Sequence, residues 1–372
     1  MTTLELAADP CERLRDAYAE ARRSGAARHR DIAAQLGVSE GELIAAHVGL
    51  QTPVRGLQAR RLRAEWPPLM AALEAVGEVM ALTRNASCVH EKTGVYRQTS
   101  FGGPAGCEMG LVLGGEIDLR VFYSRWAHGF AVDETTEGGV QRSLQFFDAQ
   151  GMAVHKVFSR AQTDRGAWVE LVARFVDDEQ RCGIDLATAR AAAAEQPDAA
   201  IDTAGLRRAW SSMRDTHEFF GVLKRFGVTR TQALRLADPR FVQTVDPDSA
   251  HTLLHAAAAA AVPIMVFVGN PGMIQIHSGA VKKIAPMGPW LNVLDDGFNL
   301  HLRQDHVAQA WIVRKPTADG LVTSLELFDA SGDTIAMFFG ERKPGRAEIC
   351  AWRDLVESLA PNASTQAPPC AC

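Results

Sequence analysis

The alternation of apolar and polar residues divides the first half of the chain into a helical part followed by short strands. Ile32, Leu36 and Ile44 recur near helical spacing, and the run GVS at 37–39 interrupts them as a turn with a serine cap. From about residue 76 to 174, short apolar runs alternate with glycine-containing turns, which is typical of antiparallel hairpins. The predicted strands are 79–83, 111–113, 117–123, 143–147 and 154–158.

The second half repeats this order. Apolar periodicity predicts a helix over 206–226, a turn at Gly227, a helix over 231–237 and an alanine-rich helix over 250–261 that Ser249 caps. Strand patterns then resume at 264–268, 273–277, 298–302, 311–313, 323–328 and 334–339. Helices followed by an antiparallel sheet in each half predict an α+β fold.

Short sequence matches show that the two halves are copies. The run SLQFFDAQG at 143–151 returns as SLELFDASG at 324–332, and IDLRV at 117–121 returns as FNLHL at 298–302. We therefore expect two tandem copies of one domain, 1–195 and 196–372, each with N-terminal helices and a large antiparallel β-sheet. A seam between related domains is a common place for a small-molecule site.

Composition and charge limit the classes of function that we expect for the chain. The 372 residues are 47% hydrophobic and carry a formal net charge of −5, so the whole chain has no basic footprint for nucleic acid or an anionic membrane. The start has no signal-peptide pattern, and no apolar run reaches membrane-spanning length. The seven cysteines contain no CxxC pair, which fits a reducing cytoplasm.

His217 is the most suggestive titratable residue. Leu206, Trp210, Met213, His217 and Phe220 step by helical intervals, which puts a histidine on the apolar face of a predicted helix. One interpretation is a buried histidine that hydrogen-bonds to a neighbour. The other is an axial ligand for an apolar, metal-centred cofactor, because neutral imidazole binds iron well.

Four motifs carry a family resemblance. The pattern WxxMxDxHxFF at 210–220, PMGPWLN at 286–292, RKPT at 314–317 and FGER at 339–342 resemble the cytoplasmic hemin-degrading and haem-trafficking proteins of bacterial haem-uptake operons, the HemS, ChuS and PhuS type. The internal duplication is itself a property of that family. The resemblance covers essentially residues 10 to 360.

The resemblance implies haem b as ligand or substrate, with His217 as the proximal iron ligand. Arg120 would be the distal and catalytic residue, and the haem would lie in the seam between the copies. It also implies cations for the propionates and aromatic rings for the porphyrin, at Arg230, Lys315, Arg342, Phe267 and Phe339. On the residues alone, the cations fit solvated surface charges and the rings fit ordinary strand core.

The chain departs from the family pattern at Met337 and Phe339, where relatives are expected to have more polar side chains. A hydrogen-bonded water network beside the haem, and oxygen chemistry that depends on it, are therefore not implied. The resemblance otherwise implies a cytoplasmic protein that accepts imported haem. It would either pass the haem to a haem oxygenase or degrade it to release iron, with the cytoplasmic face of a haem ABC importer as a further partner.

Other patterns support alternatives. Residues 28–49 fit a helix-turn-helix regulator, although the related turn FGV at 226–228 favours a structural element of the repeat. A duplicated interaction module without haem is the other alternative. His251 and His255 could share a metal but fit a surface pair, and Cys370 with Cys372 could bind a soft metal but fit a loose tail.

Overall fold

A computed structural model describes residues 9–25, 28–51, 56–103, 108–188, 194–342 and 345–359, and the fold is α+β as expected. The tail cysteines Cys370 and Cys372 lie outside these residues. The helices are α1 (Pro10–Arg23), α2 (His29–Leu36), α3 (Glu40–Ala45), α4 (Trp66–Ala72), α5 (Arg165–Phe175), α6 (Thr203–Ser211), α7 (Glu218–Phe226), α8 (Arg230–Leu236), α9 (Ser249–Ala259) and α10 (Cys350–Glu357).

The strands of the first half are β1 (Leu57–Arg61), β2 (Val79–Arg84), β3 (Cys88–Gly94), β4 (Thr99–Gly102), β5 (Met109–Leu113), β6 (Asp118–Val121), β7 (His128–Thr136), β8 (Gly139–Phe147) and β9 (Ala153–Ser159). Those of the second half are β10 (Val242–Val245), β11 (Ile264–Asn270), β12 (Met273–Gly279), β13 (Ile284–Met287), β14 (Trp290–Asp295), β15 (Phe298–Arg303), β16 (Gln309–Thr317), β17 (Gly320–Phe328) and β18 (Thr334–Gly340).

The described residues form two compact units that are discontinuous along the chain. Unit 1 takes its residues from Met1–Arg84, Glu91–Arg190 and Asn270–Gln275. Unit 2 takes its residues from Asn85–His90, Ala191–Gly269 and Ile276–Cys372. Each unit therefore includes a short segment from the opposite half of the sequence.

In unit 1, β1, β7, β8, β9 and β2 lie side by side in that order, and β4, β5 and β6 form a second antiparallel set. Successive residues of β7 point to opposite faces, as the pleat requires. Phe130 packs with helices α1 to α3, whereas Ala131 packs with α4 and α5. The main sheet of this unit is thus covered by helices on both faces.

Unit 2 repeats this plan with β10, β16, β17, β18 and β11, and with β13, β14 and β15. Val313 packs with α6 to α8, and the preceding Ile312 packs with α9 and α10. Trp352 of α10 is fully buried and donates its indole N–H to the Thr323 carbonyl oxygen at 3.0 Å. Both faces of this sheet therefore carry a packed core.

Irregular features recur at equivalent positions, which confirms the duplication. The β8–β9 ladder has a bulge between Phe146 and Phe147, and the β17–β18 ladder has one between Leu327 and Phe328. Gly37 and Gly227 end α2 and α7 in the left-handed conformation, with φ of 68° and 61°. Bulges and left-handed caps are specific local solutions, so their repetition reflects common descent of the two halves.

Two helix predictions are wrong. The helix expected over 206–226 is two helices, α6 and α7, separated by residues 212–217. Serine and aspartate side chains in this stretch bond to the backbone and compete with helix continuation: Ser212 Oγ donates to the Ala209 carbonyl oxygen, and Asp215 accepts the His217 amide. Ser249 is the first residue of α9 rather than its cap, because Asp248 holds the N-cap position.

The pair α2 and α3 is a structural element rather than an exposed DNA-reading motif. Ser39 caps α3 through a reciprocal capping box with Glu42, as the predicted serine cap required. Gly41, Leu43, Ile44 and Ala45 of α3 are buried, so the helix that would enter a DNA groove faces the core instead. Among the described residues, no helix combines the length and the apolar character that crossing a membrane requires.

The equivalent turn glycines give a test of the repeat. Gly151 and Gly332 both have left-handed backbones, with φ of +74° and +82°. A Cβ on Gly151 would lie 2.8 Å from the Ser39 Cβ, whereas one on Gly332 would lie 3.0 Å from the Thr231 hydroxyl oxygen. We expect Gly332→Ala to lower the free energy of unfolding by about 1–2 kcal/mol, mainly through backbone strain. Gly151→Ala should lose a further 1–3 kcal/mol, roughly, through overlap with the cap.

Urea denaturation of both variants measures these losses, and Gly138→Ala serves as the control because its Cβ would meet nothing closer than 3.8 Å. Equal losses for Gly151→Ala and Gly332→Ala would contradict the proposed overlap with Ser39.

Candidate functional site

The candidate site residues on the strands of unit 2 share one face of its main sheet. The register pairs Trp311 of β16 with Glu326 of β17, and Glu326 with Met337 of β18, which in turn pairs with Phe267 of β11. Residues two apart along a strand share a face, so Lys315 and Phe339 lie on this same side. Helices α6 to α8 pack against the same side, with Val313 and Phe328 in their core.

Glu326 is fully buried and binds two cations. Arg230, the first residue of α8, donates from Nε to Oε2 at 2.7 Å and from Nη2 to Oε1 at 2.8 Å. Lys315 Nζ donates to Oε1 at 2.7 Å, and Ser324 Oγ donates to the same oxygen at 3.0 Å. This bidentate and charge-assisted arrangement satisfies both carboxylate oxygens, and we call Arg230, Lys315 and Glu326 the Glu326 triad.

Burial and charge set the ionisation of the triad. Burial by itself would raise the pKa of Glu326, but the charges of Arg230 and Lys315 hold that pKa far below its usual range. Burial, with Arg230 adding to it, lowers the pKa of Lys315 to about 8, although Glu326 opposes the change. The triad carries one negative and two positive charges, so it leaves an excess positive charge beneath the surface.

Aromatic and thioether groups surround the triad. The Phe219 ring of α7 lies 4.8 Å from Lys315 Nζ and 5.1 Å from the Arg230 guanidinium carbon, so both cations face its π-surface. Phe267 and Phe339 meet edge to face at 4.9 Å, and both are only half-buried. With Met337, whose sulfur lies 3.3 Å from Arg230 Nη2, they form a partly open apolar patch.

His217 lies at the N-terminal end of α7, outside the helix. Its side chain is 88% exposed, and Nδ1 lies 2.6 Å from Asp215 Oδ1. Hydrogen bonds from the backbone and ring of His217 hold the pKa of Asp215 below its usual range, and the charge of Arg342 adds to this. Because Asp215 engages Nδ1, Nε2 is the ring nitrogen left for a metal.

Arg120 lies on β6 in unit 1, and its side chain contacts two other residues of the same strand. Its guanidinium pairs with Asp118 and donates to the Leu119 carbonyl oxygen at 3.2 Å. His301, the equivalent residue in the second copy, instead meets Asn292 Oδ1 through Nδ1 at 2.7 Å. The side chain of Arg120 is partly exposed, which leaves its other donor groups available to a ligand.

The structure corrects two sequence interpretations and adds three residues. His217 is not buried on an apolar helix face, and Phe220 is 75% exposed, because α7 buries Phe219 and Val222 instead. Lys315 is only 3% exposed and is not a solvated surface charge. No role was predicted from the sequence for Glu326, Asp215 or Phe219. A signal for Glu326 was present, since the first copy has Gln145 at the equivalent position.

Removing the charge of Glu326 tests the triad. We expect Glu326→Gln to lower the free energy of unfolding by about 3 kcal/mol at pH 7, because two buried or half-buried cations lose their counter-charge. The lowered pKa means that this stability is present above the pKa of an unfolded glutamate and is lost as the pH falls toward the folded value. The difference between wild type and Glu326→Gln should therefore shrink at about pH 3.

Denaturant titrations at both pH values check this, and Glu357→Gln on the exposed face of α10 is the control. If the difference in the free energy of unfolding between wild type and Glu326→Gln does not change with pH, the shape of the Glu326 side chain rather than its charge would account for the loss.

Comparisons with known proteins identify the family of the chain. The haemin-degrading HemS.ChuX domain family matches residues 37–175 and again 227–359. The chain is 42% identical over 331 residues to the hemin transport protein HmuS of Yersinia pestis, covering 89% of this chain and 92% of that protein.

Two solved structures are similar over almost the whole chain. Holo-PhuS, a heme-binding protein from Pseudomonas aeruginosa, has a TM-score of 0.90 at 46% identity, covering 95% of this chain and 100% of that one. ChuS, an E. coli heme oxygenase, has a TM-score of 0.82 at 37% identity, covering 94% and 99%. The predicted resemblance and the duplicated α+β fold are thus confirmed, and the chain belongs to the haemin-degrading HemS/ChuX family.

Proposed function

We propose that this protein binds haem b in the cytoplasm as part of a haem-uptake system, and that it traffics the haem or degrades it. The observation that carries the proposal is His217, an exposed imidazole whose Nδ1 is held by Asp215. A carboxylate on one ring nitrogen fixes the orientation of the ring and raises the basicity of the other, which suits an iron ligand. The relatives named as hemin transport and heme-binding proteins support the same ligand.

The residues of unit 2 fit haem chemically. The half-buried patch of Phe267, Met337 and Phe339 offers an apolar surface for a flat macrocycle. Arg230 and Arg342 are partly exposed cations that suit the two propionates, since guanidinium groups bind carboxylates well, and Arg230 would do so through Nη1 because its Nε and Nη2 are bound to Glu326. Lys315 would add positive charge from below the surface, because its Nζ is already bound to Glu326.

The protein side of the mechanism follows from these groups. His217 Nε2 would bind the iron, Asp215 would orient the ring, and the apolar patch would exclude water from one face of the macrocycle. Haem, once bound, supplies the redox chemistry. As a carrier, the protein would receive haem at an ABC importer and pass it to a haem oxygenase. As an enzyme, like the relative named a heme oxygenase, it would open the macrocycle itself.

A hemin titration followed by absorbance tests the site. Wild type should give a saturable Soret band at about one haem per chain. In His217→Ala the band should change form and the affinity should fall at least about tenfold, because the imidazole ligand is gone. Since His217 is exposed, its replacement should leave the far-ultraviolet circular dichroism spectrum unchanged.

The matched control is His255→Ala, which removes an exposed helical histidine of the same unit. Identical bands in wild type and His217→Ala would exclude His217 as the ligand, and no band in either protein would exclude haem binding.

For Arg120 the proposal rests on the resemblance. Its guanidinium would donate hydrogen bonds at the iron and so stabilise a negatively charged ligand there. We expect Arg120→Ala to alter the ferric spectrum of the haem complex and to speed autoxidation about tenfold, while the protein stays folded. Arg125→Ala is the control, and an unchanged spectrum and autoxidation rate would rule out the assignment.

A further inference from the structure

A cluster of metal-binding side chains lies in unit 1, outside the groups described above. The ligand atoms of Asp9, Cys11 and Cys182 all lie within 4.8 Å of one another, and Cys182 Sγ lies 3.8 Å from Asp9 Oδ2. Ligands at about 2.3 Å from a tetrahedral zinc ion are about 3.7 Å apart, so this spacing needs only a small contraction to hold a cation. Among the described residues, no other group of three such side chains meets this spacing.

Cys11 and Cys182 lie on separate segments, and hydrogen bonds attach both segments to the end of α3. Arg15 anchors α1 by donating to the Ala46 carbonyl oxygen at 2.7 Å. The Gly183 amide, next to Cys182, donates to the Ala45 carbonyl oxygen at 3.0 Å. Arg61 Nη2 donates to the Gly183 carbonyl oxygen at 2.6 Å. Both thiols are thus held at the end of α3, which reduces the ordering cost of binding a metal.

The residues around the cluster direct its ligand atoms toward one another. Gly183 has a φ of +80°, and a Cβ there would lie 3.6 Å from Cys11 Sγ. Asp9 accepts the Cys11 amide through Oδ1 at 3.3 Å, which turns Oδ2 toward Cys182. Cys11 and Cys182 are half-buried and Asp9 is exposed, so a cation could enter from solvent and keep one position open.

A divalent cation would bind the sulfur atoms of Cys11 and Cys182 as thiolates and displace their protons.

We propose that Asp9, Cys11 and Cys182 form a binding site for a soft divalent cation of the Zn²⁺ type, with water as the fourth ligand. Binding forms two metal–sulfur bonds and one metal–oxygen bond, and it releases two thiol protons to solvent without any change of oxidation state. The set of two thiolates and one carboxylate is within the range that zinc accepts. The site would fasten the start of α1 to the segment that follows α5, independently of any haem.

The test uses the haem-free, reduced full-length chain in which Cys107, Cys370 and Cys372 are replaced by Ser. Cadmium(II) is the spectroscopic probe, because each bound thiolate adds sulfur-to-metal charge-transfer absorbance in the ultraviolet. We expect saturation at one Cd²⁺ per chain, about half the absorbance in Cys182→Ser, and at least about tenfold weaker Zn²⁺ binding in Asp9→Asn by chelator competition. Zn²⁺ should also raise the melting temperature of the parent by more than it raises that of Asp9→Asn or Cys182→Ser.

Cys350→Ser is the matched control, since it removes an exposed thiol of unit 2 and should change nothing. Cys11→Ser and Cys182→Ala keep the test decisive if one variant folds poorly. The proposal is overturned if the parent shows no charge-transfer band, or if the absorbance of the band is undiminished in both Cys11→Ser and Cys182→Ser. A Cys11–Cys182 disulfide in the purified protein, with no metal binding after reduction, would overturn it as well.

Discussion

The burial of Glu326 between Arg230 and Lys315 is the constraint on which the architecture of unit 2 depends. A carboxylate without exposure to water is stable only when it is paired and hydrogen-bonded. Meeting that demand fixes the start of α8 against β17 and draws Phe219 of α7 over the two cations. The end of α7 that bears His217 is therefore positioned indirectly by a charge buried in the sheet.

Unit 1 also contains a buried carboxylate paired with two cations, but the helix and strand positions that carry the charges are exchanged. Glu40 begins α3 as Arg230 begins α8, and the buried Glu40 pairs with Lys156 of β9 and Arg84 of β2. Those cations lower the pKa of Glu40 to about 2. Lys156 corresponds to Met337, so the strand position that holds a cation in unit 1 holds a thioether in unit 2. Each copy thus buries one carboxylate between two cations, but the helix supplies the carboxylate in unit 1 and a cation in unit 2.

The features of the fold that depend on local sequence pattern could be predicted from the sequence. Alternation located most strands of the main sheets, and matched runs such as SLQFFDAQG and SLELFDASG gave the duplication. It could not predict the break before His217, because 206–226 keeps helical spacing while Ser212 and Asp215 redirect the backbone through their side chains. Nor could it show that Lys315 is buried, since that depends on a long-range pairing with Glu326. Helix α5 was missed because residues 76–174 had been assigned to β-structure, and α10 lies beyond the last predicted strand, where no element was predicted.

The exchange of short segments between the units also bears on how this protein can be divided. Residues 85–90 follow β2 of unit 1 yet belong to unit 2, where Asn85 donates to the Gly269 and Ile335 carbonyl oxygens. Residues 270–275 do the reverse, and Asn270 donates to the Arg84 and Val154 carbonyl oxygens of unit 1. A gene split near residue 190 would therefore yield two fragments, neither of which encodes a whole unit. Separating the two sequence repeats near residue 195 would therefore not separate the two compact units.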